Sequence, residues 1–125
     1  MKKIINTTQA PKAIGPYSQA IDTGNTLYIS GQVPLNPASG KVEAQGIKEQ
    51  TEQVMKNIGA ILQAAGYGFE NVVKSTCYLS DMSNFAAMNE IYAGYYPTEP
   101  PARAAFAVKE LPLGVLIEIE AIAVK

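Results

Sequence analysis

The sequence predicts an α+β domain, and three of its features support that prediction. Two stretches repeat apolar residues at helical spacing, several shorter stretches alternate apolar and polar residues or are rich in β-branched ones, and turn-forming residues separate them. In chain order the elements read ββαβαββ, which places two helices on one face of a mixed sheet. A chain of 125 residues can bury a core of its own, so we expect one domain over residues 1–125.

The N-terminal half provides a hairpin and the longer helix. Residues 18–22 and 26–33 form the two strands of the hairpin, and Thr23–Gly24–Asn25 supplies its turn. After a loop, apolar residues recur at helical spacing over 46–66, with lysines and glutamates facing the other way. Gly66 is placed to end this helix.

The C-terminal half alternates strands with a second helix. The predicted elements are a strand at 71–81, a helix at 81–96, and strands at 102–111 and 115–124. Asp81 or Ser83 can cap the helix. In the strand that precedes it, Val73 is expected to share a face with Ser75, Cys77 and Leu79.

The last strand presents two different faces. One face is wholly apolar: Val115, Ile117, Ile119, Ala121 and Ala123. The other face mixes carboxylates with large apolar residues: Leu116, Glu118, Glu120, Ile122 and Val124. Such a mixture is unusual for a solvent face, and two helices can cover only one side of the sheet. We therefore expect a partner subunit to cover the second face.

Composition narrows the chemistry that this chain can perform. It has no histidine, which excludes Ser-His and Cys-His catalysis and every zinc site that uses histidine, and its single cysteine excludes an internal disulfide. The net charge is −1 and no basic patch appears, so nucleic acid is not expected as a partner. No apolar run spans a membrane and the N-terminus has no apolar core of a signal peptide, so we expect a soluble, cytoplasmic protein.

Arg103 is the only arginine, although the chain uses lysine nine times. Its planar guanidinium matches a carboxylate through two parallel hydrogen bonds. Ala105 and Ala107 share its strand face and leave space beside the charge, which favours a pocket for a small anion. The alternative is a structural arginine, either at the surface or paired with Glu118 or Glu120.

Other residues could line or serve the same pocket. A partly buried Glu118 or Glu120 would have a raised pKa and could act as a general acid or base near neutral pH, although a solvated or salt-bridged strand edge is the commoner explanation. Tyr17 follows a Gly-Pro turn and could offer its hydroxyl. In the Ser30–Gly31 pair, the glycine inside a strand marks a bulge or a close approach. Asn89 is polar among apolar helix neighbours.

Four motifs in this order and spacing resemble the RidA/YjgF family. They are GPYSQA at 15–20, ISGQVPLNPASG at 29–40, the helix ending AAG at 64–66, and PPARAAFAVKELPLGVLIEIEAIAV at 100–124. The resemblance extends over residues 13–124. It implies a chorismate-mutase-like fold and a homotrimer with a barrel-like core, in which the ligand clefts lie between subunits.

The resemblance also implies an activity. Members of the main branch hydrolyse reactive enamines and imines, such as 2-aminoacrylate, 2-iminopropanoate and 2-iminobutanoate, to 2-keto acids and ammonia. Pyridoxal-phosphate dehydratases release these intermediates, whereas the deaminase needs neither cofactor nor metal. By this resemblance the protein would be an imine deaminase, and a non-enzymatic protein that binds 2-keto acids is the alternative.

Matching the family motifs gives each candidate residue a role. Arg103 would anchor the substrate carboxylate, and Glu118 would position or activate water. Tyr17 would be a third catalytic residue, and it would line the cleft together with the Ser30–Gly31 pair. Two further contributors are the side chain of Asn89 and the backbone of Ala105.

The chain departs from the family pattern directly after the arginine. Ala104 and Ala105 stand where the active branch usually has serine and cysteine, and Phe106 and Ala107 replace a common valine and glutamate. The absence of these polar side chains is expected to affect the range of substrates and the rate of hydrolysis, and it favours the ligand-binding alternative. RNA cleavage, which is sometimes attached to the family by name, is disfavoured by the acidic balance and the missing histidine.

Overall fold

A computed structural model describes all 125 residues, Met1–Lys125. It contains two helices, α1 (Ile47–Ala65) and α2 (Phe85–Ala93). It contains six strands, β1 (Lys3–Ile5), β2 (Ala20–Asp22), β3 (Thr26–Gln32), β4 (Val72–Leu79), β5 (Ala102–Ala107) and β6 (Ile117–Val124). The predicted α+β class is confirmed, with one further strand at the N-terminus. That strand has only three residues, too few to show an alternating pattern in the sequence.

The six strands form one mixed sheet in the order β1-β2-β3-β6-β4-β5. All neighbours are antiparallel except β4 and β5, which are parallel. A parallel pair needs a crossover, and α2 provides it. β5 lies at the edge of the sheet, and α2 connects it to β4. One face of β5 therefore lies beside that helix.

The core lies between the sheet and the two helices. The apolar stripe predicted for α1 is buried, including Val54, Ile58 and Ile61, and it packs with the apolar face predicted for β6, including Ile117 and Ile119. The helix ends where expected, since Gly66 has φ 81° and its N–H donates to carbonyls of the last turn.

The second helix is shorter than the sequence predicts. Asp81 caps the segment by accepting a hydrogen bond from the Ser83 N–H at 2.8 Å, but the next three residues, Met82–Asn84, form a 3₁₀ turn before α2 begins. α2 then ends at Ala93, before Gly94. None of the helices combines the length and the apolar character needed to cross a membrane.

One predicted strand face is wrong at its first residue. Ser75, Cys77 and Leu79 are buried as expected, whereas Val73 is exposed and Val72 is buried in its place. The pairing register of β4 with β6 shifts between Val72 and Lys74. Because this irregularity inserts one residue into the strand, Val72 rather than Val73 points toward the core.

The second face of the sheet carries no helix. Tyr28, Phe106 and Val124 lie on it with exposed fractions of 50%, 46% and 39%. A face of this kind on a single chain is consistent with the partner subunit expected from the sequence, and we call it the open face.

Candidate active site

Arg103 lies on the helix-covered face of the sheet. It pairs in register with Ser75 on β4, which in turn pairs with Ala121 on β6, and both of these residues are buried in the core. Neighbouring residues in register point to the same side of a sheet. The Arg103 side chain therefore extends from the edge strand toward α2.

Three side chains of α2 hold the guanidinium. Its Nη1 donates a hydrogen bond to Asn89 Oδ1 at 2.7 Å. The guanidinium carbon lies 4.9 Å from the centre of the Tyr92 ring and 5.4 Å from the centre of the Phe85 ring, both within cation–π range. The residue itself remains exposed to solvent.

No carboxylate of this chain pairs with Arg103. The one ion pair in the protein joins Lys48 to Glu90 at the surface. An adjoining cavity of about 430 Å³ is lined by Asn89, Tyr92, Ala93, Tyr96, Pro100, Pro101 and Arg103. The structural alternative of a bridge to Glu118 or Glu120 is therefore excluded within the chain, and the charge is available to a ligand.

Glu118 and Glu120 lie on the open face, on the other side of the sheet from Arg103. In register they pair with Tyr78 and Thr76 of β4, and they alternate with the buried residues of β6. Glu118 is half-buried and Glu120 is exposed. Burial raises the pKa of the Glu118 carboxyl, and the nearby charge of Glu120 raises it further.

The position of the Glu118 carboxylate depends on Gly31. The register of β3 on β6 shifts between Ile29 and Gln32, so that a bulge contains Gly31. A Cβ atom built on Gly31 would overlap the Glu118 carboxylate. The bulge and the close approach, which the sequence offered as alternatives, are both present.

Tyr17 and Ser30 complete a groove around Glu118. The Tyr17 hydroxyl accepts a hydrogen bond from the Ile14 N–H at 3.3 Å, and Ser30 Oγ donates to the Ser18 carbonyl at 2.6 Å. The groove has a volume of about 680 Å³ and is lined by Ile14, Tyr17, Ser30, Gly31, Val33, Leu35, Pro112, Leu113, Glu118 and Glu120. Four of the predicted site residues thus share one groove.

The predicted site is divided in two by the sheet. Arg103 and Asn89 form a cationic half-site on the helix side, whereas Tyr17 and Glu118 belong to the acidic groove. On the open face, the β5 residue in register with Glu118 is Phe106, through Tyr78. A single chain therefore does not bring the anchor and the carboxylate together.

The candidate residue Ala105 and the single cysteine lie near the cationic half-site. Ala105 is partly buried beside the core and pairs in register with Cys77. Cys77 is buried and free, and burial raises the pKa of its thiol to about 11, an effect that the Arg103 charge partly opposes. The thiol is consequently protonated at neutral pH and does not serve as a nucleophile.

The aromatic part of the cationic half-site was not predicted from the sequence. In the sequence, Phe85 and Tyr92 look like ordinary apolar positions of a helix, yet both rings contact Arg103. The sequence does contain an indication of this cluster. Phe85, Asn89 and Tyr92 are spaced by four and three residues, so they lie on one face of the helix.

The family model described as Endoribonuclease L-PSP matches residues 7–125. The chain belongs to this family, which is the RidA/YjgF family. A RutC family protein of Pyrococcus horikoshii is 57% identical over 125 residues, which cover all of this chain and 99% of that protein. A mouse protein named 2-iminobutanoate/2-iminopropanoate deaminase is 54% identical over 125 residues, all of this chain and 93% of that one.

Solved structures of the RidA/YjgF family agree with the fold. A Rid family protein from Yersinia pestis superposes with a TM-score of 0.97 at 46% identity, and the match covers all of both chains. This agreement includes the mixed sheet with two helices on one face.

Proposed function

We propose that this protein is an imine deaminase that hydrolyses 2-iminopropanoate and 2-iminobutanoate to 2-keto acids and ammonia. The observation that carries the proposal is the Arg103 guanidinium, which no carboxylate of the chain neutralises. The deaminase name of the mouse relative at 54% identity supports it independently.

Arg103 would bind the substrate carboxylate. The α2 side chains occupy only one of its N–H groups through Asn89, so the others can form two parallel hydrogen bonds to a carboxylate. A hydrogen bond to a charged group contributes about 1.5–3 kcal/mol. This is sufficient to select 2-imino acids over neutral imines.

Glu118 would activate the attacking water. As the water oxygen forms a bond to the imine carbon, the carboxylate takes one proton from that water. The C=N π electrons move to the nitrogen, which receives this proton from Glu118 to give a carbinolamine. Glu118 then takes the proton of the new hydroxyl group and passes it to the nitrogen as the carbonyl forms and the carbon–nitrogen bond breaks, so that ammonia leaves and the 2-keto acid remains. Its raised pKa brings the carboxyl closer to neutral pH, where proton transfer in both directions is efficient. Such acid–base assistance typically contributes about 10²–10⁴-fold in rate.

The complete site would form between subunits of a homotrimer. Arg103 and Glu118 lie on opposite sides of the sheet, so a shared substrate needs Arg103 from one copy and the groove of Tyr17, Gly31 and Glu118 from the next. The exposed apolar residues of the open face support contact between copies. In the trimer, the three open faces would enclose the barrel-like core.

Several broader expectations accompany this proposal. We treat residues 1–125 as a single RidA-like domain that works in the cytoplasm without a cofactor or metal, beside the pyridoxal-phosphate enzymes that release its substrates. Endoribonuclease activity, which the description of the family model names, is disfavoured for this chain. The net charge of −1 and the two glutamates of the groove would repel an RNA backbone.

A second candidate function is carboxylate binding without turnover. Ala104 and Ala105 place no polar side chain next to Arg103, and this observation favours a regulatory protein that binds 2-keto acids. The same cationic half-site would serve it, so only an assay of turnover separates the two functions.

The test generates 2-aminoacrylate from serine with a dehydratase and traps the surviving imine with semicarbazide. We expect the wild-type protein to lower the yield of trapped adduct. Arg103→Ala should lower kcat/KM at least ~100-fold, since it removes both charge and orientation. Lys56→Ala is the matched control, because it removes one positive charge from an exposed position of α1 and should retain full activity.

The outcomes separate the candidates. If Arg103→Ala retains the activity of the wild-type protein, the assignment of Arg103 as the anchor of the substrate carboxylate is refuted. A wild-type protein that leaves the adduct unchanged would refute the deaminase, and calorimetry with 2-ketobutyrate would then show whether the ligand-binding function replaces it.

A further inference from the structure

One helix face supports the whole guanidinium group of Arg103. Phe85, Asn89 and Tyr92 succeed one another along α2 at intervals of four and three residues, so their side chains lie side by side. All three contact Arg103, which belongs to a different element, the edge strand β5. We call these three residues the α2 platform.

The platform supports the charge while leaving its donors free. Asn89 Oδ1 accepts one hydrogen bond from Nη1, and no other acceptor of the chain contacts the guanidinium. The Tyr92 and Phe85 rings attract the cation through their π-faces, which requires no conventional hydrogen bond. An aspartate or glutamate in the same place would hold the arginine too, but it would occupy the N–H groups that a ligand needs.

The Tyr92 contribution comes from its ring. The residue is buried, with an exposed fraction of 6%, and its hydroxyl has no hydrogen-bond partner. Ser75, the register partner of Arg103, also has an unpartnered hydroxyl. Removal of the Tyr92 hydroxyl leaves the ring beside the guanidinium, whereas removal of the ring deletes the aromatic surface that lies 4.9 Å from the guanidinium carbon.

We propose that Tyr92, assisted by Phe85, positions the Arg103 guanidinium to receive the carboxylate of the ligand. This inference rests on the proposed function, because it assumes that Arg103 anchors a 2-imino acid. Tyr92 does not touch the reacting atoms in this account. It acts through Arg103, and its effect should appear in binding more than in the chemical step.

The experiment compares Tyr92→Phe, Tyr92→Leu and Phe85→Leu in two assays. One assay measures deaminase kcat and KM, and the other measures the Kd of 2-ketobutyrate by calorimetry. We expect Tyr92→Leu to raise KM and Kd roughly tenfold with kcat little changed, and Phe85→Leu to raise them less. Tyr92→Phe keeps the ring and should restore wild-type values.

Tyr67→Leu is the matched control for the loss of a buried tyrosine. Tyr67 is also buried and also lies against a cation, but that cation is Lys125, whose Nζ is 4.8 Å from the ring centre. We expect this variant to lose thermal stability without a change in KM or Kd. The comparison separates weakened packing from misplacement of Arg103, and circular dichroism confirms that each variant is folded at the assay temperature.

Three results would overturn the inference. They are an unchanged Kd in both leucine variants at Tyr92 and Phe85, an equal loss in Tyr92→Phe and Tyr92→Leu, or an equal rise in Kd for Tyr67→Leu. Failure of the proposed function looks different, because the wild-type protein itself would then show no turnover. If it still bound 2-ketobutyrate and Tyr92→Leu weakened that binding, the role of the platform would stand for a ligand-binding protein.

Discussion

Gly31 lies against Glu118 so closely that a single added methyl group would overlap the carboxylate. The bulge in β3 creates this contact, and its glycine leaves the carboxyl enough room to be half-buried beside the groove. The position of the proposed acid–base residue therefore depends on the absence of a side chain on the neighbouring strand.

We expect Gly31→Ala to reduce activity much more than stability. The atom that the new Cβ meets first is the far end of a flexible side chain, so Glu118 can move away without a shift of backbone. Deaminase kcat should fall at least ~10-fold, because misplaced catalytic groups lose orientation, while Tm changes little. Gly94→Ala at the end of α2 is the control, since its φ is −64° and the nearest atom to its new Cβ lies 3.4 Å away. Full activity in Gly31→Ala would contradict this account.

The pH profile of the reaction should reflect the raised pKa of Glu118. Burial, followed by the Glu120 charge, raises that pKa above the ordinary value of 4.5. A general base works only when ionised, so kcat/KM should fall as pH falls, with a midpoint above 4.5. The midpoint should shift downward in Glu120→Gln, which removes the neighbouring charge. A profile without an acid limb above pH 4.5 would contradict the assignment of Glu118 as the base.

The same carboxyl should make stability depend on pH in a defined direction. Because the folded pKa exceeds the unfolded pKa, the folded protein binds more protons in the interval between them, and the Glu118 contribution is lost as pH rises through it. Glu118→Gln cannot ionise. Its free energy of unfolding relative to wild type should therefore increase from acidic pH to neutral pH, as measured by urea denaturation at both pH values. A difference that decreases with pH would contradict the direction of the shift.

Cys77 should be inert in the native protein. Its thiol is buried with a pKa of about 11, so very little thiolate exists at pH 8. We expect iodoacetamide to leave both the mass and the activity of the folded protein unchanged, whereas protein unfolded in urea should gain one adduct. Rapid labelling of the folded protein with loss of activity would show that the thiol is accessible and serves the site.

Much of the fold could be predicted because its signals are local. The apolar stripe of α1 and the alternation of β6 follow from helical and strand periodicity, and both proved to face the core. The special role of Gly31 could also be identified, since a glycine within a strand indicates a bulge or a close approach. The placement of Gly31 beside Glu118 confirmed this interpretation.

The remaining features depend on contacts that no local pattern encodes. Three residues of β1 are too few for periodicity, and the shift at Val73 depends on pairing with a distant strand. The role of Tyr92 was hidden because a buried helix position looks the same whether its ring packs on apolar atoms or on a cation. Likewise, the separation of Arg103 and Glu118 by the sheet follows from the register of β5 on β4 and of β4 on β6, which the sequence alone does not give.

The most direct test of the account mixes two inactive variants. Arg103→Ala lacks the anchor and Glu118→Gln lacks the base, so each alone should be inactive. If each site takes Arg103 from one copy and Glu118 from the next, an equal mixture refolded together should contain intact sites at about one quarter of positions in a cyclic trimer. We predict recovery of about one quarter of wild-type kcat/KM, accompanied by the mass of a trimer in light scattering. No recovery from co-assembled oligomers would contradict the central claim that two copies of this chain build one active site.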